Sequence, residues 1–218
     1  MTPQPHHLAL RSALAAERSG HEALLAGRSD EATAAYRDAA RAYLESWRSA
    51  PPESYGRLIG FVKASILAGD EPISAGRTAL RELKLAGVSI HGERDASERL
   101  SPAAAYALAL AALAAGEDHT AAAAAKVMRE GGEAFERTAR AIAALASGDA
   151  DHYREALAAI VRDFEQRDHH LTGVAIADTA LVLRRLAARR GVRDQLVSAL
   201  LPEPATGETG GEDSPQLP

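Results

Sequence analysis

The side chains with the greatest capacity for chemistry in this chain lie between Asp163 and Asp178. His169 and His170 stand together after Asp168. Glu165 lies four residues before His169, a spacing that puts two side chains on one helix face. Imidazole and carboxylate groups can hold zinc or a related divalent ion. This stretch, however, has no His-x-x-x-His or Glu-x-x-His pair. A hydrated corner between two helices is the expected state of Asp168, His169 and His170, and a ligand site there is the alternative. Asp178 sits between Ala177 and Thr179 in a strongly apolar run. A carboxylate there must face water, a cavity or a partner, because unpaired burial of charge is costly. A helix-edge position is expected, with a bond to another helix or a place in a ligand site as the other outcomes.

Other reactive groups are explained more simply. His91, His119 and His152 fall at predicted loops or helix starts and read as surface histidines. Asp149, Asp151 and His152 form a tight triplet, but acids at a helix start serve the cap and the dipole. Glu130 and Glu133 could act as acids or bases, yet nothing sets a partner opposite them. The chain lacks a phosphate-binding glycine loop, a Gly-x-Ser-x-Gly elbow and a His-Glu-x-x-His zinc motif. It has no cysteine, which excludes disulfides, thiolate metal sites and cysteine nucleophiles. No catalytic set, cofactor or metal is expected.

The elements that carry these residues are helices. Apolar residues make up 46% of the 218, but aromatics only 4%, so alanine and leucine dominate. Both are strong helix formers. The formal net charge is −5, which argues against a broad nucleic-acid surface. Arg184, Arg185, Arg189, Arg190 and Arg193 could touch phosphates, but no base-reading helix accompanies them. The longest apolar run, Ala103 to Ala115, is shorter than the ~20 residues that span a bilayer. The start of the chain lacks the basic and apolar blocks of a signal peptide. No nucleic acid, no membrane and a cytoplasmic location are expected.

One pattern recurs along the chain: small apolar residues, then glycine, then an acid. It appears at Gly27, Gly69, Gly116 and Gly148. Glycine closes a helix in left-handed backbone, and the acid starts the next one. Helices are predicted from His7 to Ala26, from Ser29 to Pro51, from Pro52 to Ala68, and from Asp70 to Gly87. Others follow from Ser101 to Ala115, His119 to Glu130, Glu133 to Ala146, Asp149 to Glu165, and Leu171 to Arg190. Val192 to Leu201 reads as a turn or a short helix. Residues 1–6 read as a flexible leader, 88–100 as a loop that could divide the domain 7–201, and 202–218 as a disordered tail. Ser101-Pro102 is the strongest helix start, and the nearly all-apolar helix after it should be central.

Tyr36, Tyr43, Trp47 and Tyr55 concentrate the aromatic content in the second and third helices. Their spacing says core first, with a groove between hairpins as the functional reading. The first hairpin resembles a tetratricopeptide unit over residues 16–44. Gly20, Ala32, Tyr36 and Ala39 match that family's pattern of small residue, turn, alanine, aromatic and alanine. Ala16 and Ser19 depart from it. The remaining hairpins match loosely, and the turn glycines are unevenly spaced where the family repeats at about 34 residues. The resemblance implies an array of helical hairpins that binds a protein or peptide.

The sequence therefore points to an all-α fold of about nine helices in stacked antiparallel hairpins, as an array or a compact bundle. The expected function is a non-enzymatic interaction or adaptor role, with Tyr36, Tyr43, Trp47 and Tyr55 lining the groove. An enzyme or small-ligand site near residues 163–178, using Asp168, His169, His170 and Asp178, is the runner-up. A self-associating structural subunit comes third, and the oligomeric state stays open.

Overall fold

Each of the four glycine turns closes a helix in left-handed backbone. The φ angle is +71° at Gly27, +79° at Gly69, +81° at Gly116 and +74° at Gly148. At each, the next residue's N–H returns to a carbonyl of the last helical turn, as Asp70 N does to Ser65 O at 3.1 Å. The acid after the glycine acts in two ways. Asp149 accepts the His152 N–H at 3.1 Å as a side-chain cap, whereas Asp30 and Asp118 place charge in a first turn without capping it. Ser101 caps its helix by accepting from Ala104 N, with Pro102 in the first helical position.

The computed structural model describes residues 4–88 and 100–202. The expectations for residues 1–3, for the loop at 89–99 and for the tail at 203–218 lie outside the described residues. Among those described, the elements are α1 (Pro5–Leu25), α2 (Ser29–Ser49), α3 (Tyr55–Leu67), α4 (Pro72–Leu85), α5 (Pro102–Ala115), α6 (Asp118–Met128), α7 (Glu133–Ser147), α8 (Ala150–Glu165) and α9 (Asp178–Arg189). A 3-10 turn, Arg129–Gly131, follows α6. No described residue is in a strand, so the fold is all-α.

Consecutive helices pack as antiparallel neighbours from α1 through α8. Helix α3 also touches α5, and α5 touches α7, so α3, α5 and α7 form a row. Helix α9 packs on α3, α7 and α8. Alanine makes this density possible. Helix α5 buries Ala104, Ala105, Ala107, Ala109, Ala111, Ala112 and Ala114, and it is as central as its apolar sequence predicts. Against it lies Gly76 of α4, where an added Cβ would stand 2.5 Å from Ala111 O. Gly20 and Tyr36, which carry the family resemblance, touch directly: a Cβ on Gly20 would lie 2.9 Å from the Tyr36 ring. Gly60 receives the Tyr43 ring in the same way, at 2.7 Å.

Three boundaries differ from the sequence reading. Helix α1 starts at Pro5 rather than after a flexible leader, and Ser46 donates to the buried His6 carbonyl at 2.7 Å. Helix α3 starts at Tyr55 after a turn in which Glu53 takes φ +68°. The largest difference is α9, which begins at Asp178 and not at Leu171. Residues 171–177 run irregularly through Gly173 (φ +75°), and Ala177 N donates to Leu200 O at 2.9 Å. Their apolar side chains mimic a helix because Ile176 and Ala177 are buried by tertiary packing, not by a helical face. Residues 192–201 likewise contain no helix.

The arginines of α9 serve its docking. Arg185 donates to the carbonyls of Ile66 and Leu67, at the C-terminal end of α3, at 2.7 and 2.6 Å. Arg190 does the same for Leu113 O of α5 at 2.7 Å and pairs with Asp118 at 2.9 Å. Arg189 pairs with Glu71, and Arg184 with Asp194. The basic cluster thus complements the dipoles of α3 and α5 as well as that of its own helix.

Candidate functional site

A cavity of about 220 Å³ lies where α1, α3, α5, α7 and α8 meet the irregular segment and the start of α9. Its floor is polar and buried. Glu17 and His21 come from α1, four residues apart on one face, and are 3% and 2% exposed. Lys63 comes from α3, and Asp178 and Thr179 open α9. Tyr106 of α5 completes the floor through a hydrogen bond with Thr179.

These groups are arranged as a network. Lys63 forms an ion pair with Asp178 and donates to Thr179 Oγ1 at 3.1 Å. The other Asp178 oxygen accepts the Thr179 N–H at 2.7 Å. Tyr43 donates its hydroxyl proton to Glu17 at 2.7 Å. His21 Nδ1 shares a hydrogen bond with Thr172 Oγ1 of the irregular segment at 2.9 Å. His21 Nε2 is fully enclosed and has no hydrogen-bond partner.

Burial and charge set the protonation of this floor. Burial raises the Glu17 carboxyl above its ordinary range, against the pull of Lys63 and of the Tyr43 hydroxyl. Burial lowers the His21 imidazole to about 4, so the ring is neutral near pH 7. Burial also opposes the charges of Lys63 and Asp178, but each outweighs that cost for the other. Lys63 is raised and Asp178 lowered, and both stay ionised.

The walls are apolar, with Phe135, Ile160, Phe164 and Val174 among the residues that line them. Asp163 of α8 stands at the other end, held by Arg137 at 2.5 Å and by Arg167 at 2.5 Å. The Arg167 guanidinium lies 3.9 Å above the Phe164 ring. The His170 ring lies 6.1 Å from the same ring, and its Nδ1 is enclosed without a partner.

The residues singled out from the sequence are divided by the structure. His170 and Asp178 line the cavity. Asp168 and His169, beside them in sequence, are exposed and do not. Tyr36 and Tyr43 are buried against Gly20 and Gly60, so they belong to the core and not to an open groove. Trp47 and Tyr55 pack against each other, 5.8 Å between rings, at the corner of α2 and α3 and away from the cavity.

Sequence reasoning missed Glu17, His21 and Lys63. One signal was available for the first two: Glu17-x-x-x-His21 interrupts a face otherwise made of Ala9, Ala13, Gly20, Ala23 and Leu24. Lys63 gives no such signal, because long cationic side chains on helices are ordinarily solvated.

No protein-family model, no curated protein and no solved structure matches this chain. Among the described residues, no helix is long and apolar enough to cross a membrane.

Proposed function

We propose that the protein binds a small molecule in the cavity between α1, α3, α5, α7 and α8. One observation carries this reading: the cavity joins an apolar wall to a buried polar floor on which His21 Nε2 has unspent hydrogen-bonding capacity. Buried polar atoms are nearly always paired, and an orphan on a residue that lines a cavity asks for a ligand. The ligand that fits has an apolar body for Phe135, Ile160 and Phe164 and a polar end for the floor. A protein-binding groove lined by aromatics has less support, since Tyr36 and Tyr43 are enclosed in the core.

The reading is tested by titrating small amphiphilic molecules into the isotopically labelled full chain and following backbone amide shifts. Binding should move the amides of Lys63, Tyr106, Phe135 and Thr179 together. Val174→Trp, which fills the cavity from the irregular segment, should abolish the shifts. Failure of every compound to move that group, or shifts that survive Val174→Trp, would remove the proposal.

A further inference from the structure

We propose that Glu17, His21 and Asp178 bind one divalent transition-metal ion at the floor of the cavity. Among the described residues these three are the one group of histidine and carboxylate side chains able to converge on an ion. One donor atom from each lies within 4.8 Å of the others. Metal–ligand bonds of about 2.0–2.2 Å would close that gap with side-chain shifts of about an ångström or less.

Three further features favour a cation there. The first is His21 Nε2, the orphan of the floor. With its proton on Nδ1 and donated to Thr172 Oγ1, the ring presents a bare lone pair at Nε2. Metal-bound histidines are oriented by the same kind of bond on the far nitrogen. The second is charge. Once Glu17 gives up its proton, as it does on binding a metal, two carboxylates face the single Lys63 ammonium in a site largely closed to water. Excess buried negative charge is relieved by a cation. The third is a carboxylate oxygen to spare, because Tyr43 occupies Glu17 Oε2 and, among the described residues, no hydrogen bond engages Oε1.

The donor set selects the class of ion. One imidazole nitrogen and two carboxylate oxygens suit zinc and its first-row neighbours, whereas magnesium and calcium sites are built from oxygen alone. Three protein ligands leave a coordination position that opens on the cavity, as in metal sites that act on a substrate. Lys63 is the competitor. Its ammonium sits on Asp178 and must give way, keeping its contact with Thr179 Oγ1.

This inference rests on reading the cavity as a site, but metal titration needs no organic ligand, so the two can fail separately. The experiment strips the full chain with a chelator and titrates Zn²⁺ by calorimetry and Co²⁺ by visible absorption. One ion per chain should bind, and the Co²⁺ spectrum should carry the strong bands of a four- or five-coordinate site. His21→Asn retains a donor toward Thr172 and loses Nε2. It and Glu17→Gln should each weaken binding by about 100-fold or more, at or beyond the loss expected for an outer-shell partner alone. His169→Ala, at an exposed histidine that does not line the cavity, should bind as the parent does. Lys63→Met should bind more tightly, because the competing ammonium is gone. Absence of a stoichiometric site in the parent chain overturns the proposal. So does a pale, all-oxygen Co²⁺ spectrum, or unchanged affinity in His21→Asn. The spectrum is read on the unmutated chain and holds even if a variant fails to fold.

Discussion

Lys63 of α3 and Asp178, the first residue of α9, form an ion pair across the cavity floor, with side chains only 12% and 15% exposed. It ties the last helix to the helical row. Lys63→Met should destabilise the metal-free protein by about 3–5 kcal/mol, the usual consequence of leaving one partner of a buried pair alone. Adding Asp178→Asn should recover part of that loss. Urea denaturation of both single variants and the double gives the coupling energy. Independent, additive losses would show that the pair contributes nothing as a pair.

The approach of α4 to α5 gives a second expectation. Gly76→Ala places a methyl 2.5 Å from Ala111 O and Ala115 N, which are backbone atoms that cannot rotate away. It should cost about 1–3 kcal/mol through overpacking. Gly56→Ala, near the start of α3, meets nothing within 4 Å. It should be neutral or stabilise by up to about 1 kcal/mol. Thermal melts of the two variants side by side make the comparison, and equal melting temperatures would contradict the packing described.

Docking of α9 should depend on Arg185. Arg185→Met leaves the carbonyls of Ile66 and Leu67 without their shared donor. The cost should be about 1–3 kcal/mol, typical of a part-buried charge-assisted hydrogen bond. Amide exchange should quicken in the last turn of α3 and in α9 before it does elsewhere. Arg162→Met, at an exposed position of α8, is the control and should leave both unchanged.

The cap of α8 should respond to pH. The hydrogen bond and charge of Asp149 raise His152, and the His152 backbone and side-chain hydrogen bonds lower Asp149. The His152 contribution is complete below 6.5 and is lost as pH rises through its higher folded value. The Asp149 contribution is complete above 3.8 and is lost as pH falls through its lower folded value. The cap is therefore strongest between 3.8 and 6.5. An NMR titration should show His152 above the ordinary histidine range, and Asp149→Asn should return it toward 6.5.

What the sequence determined by itself is the local structure. Helix closure at Gly27, Gly69, Gly116 and Gly148 follows from a backbone conformation that glycine alone adopts cheaply. The start at Pro102 follows from the Ser101 cap and the fixed φ of proline. These rules act over a few residues, and the chain shows them directly. The start of α9 escaped them because Val174, Ile176 and Ala177 supply apolar residues, at least partly buried, without a helix. Burial by distant elements and burial by a helical face leave similar marks on composition.

Only the tertiary structure decided the site. Glu17 and His21 share a helix face by local geometry, but their burial depends on Thr172 and Asp178, from the far end of the chain. Lys63 is an unremarkable surface residue in sequence until α9 brings Asp178 to it. His169 and His170 are adjacent in the chain, yet only His170 turns inward to the Phe164 ring. Desolvation and pairing depend on everything within a few ångströms, whatever its place in the chain. They turn ordinary charged residues into a buried polar floor only when α9 closes over the row of helices.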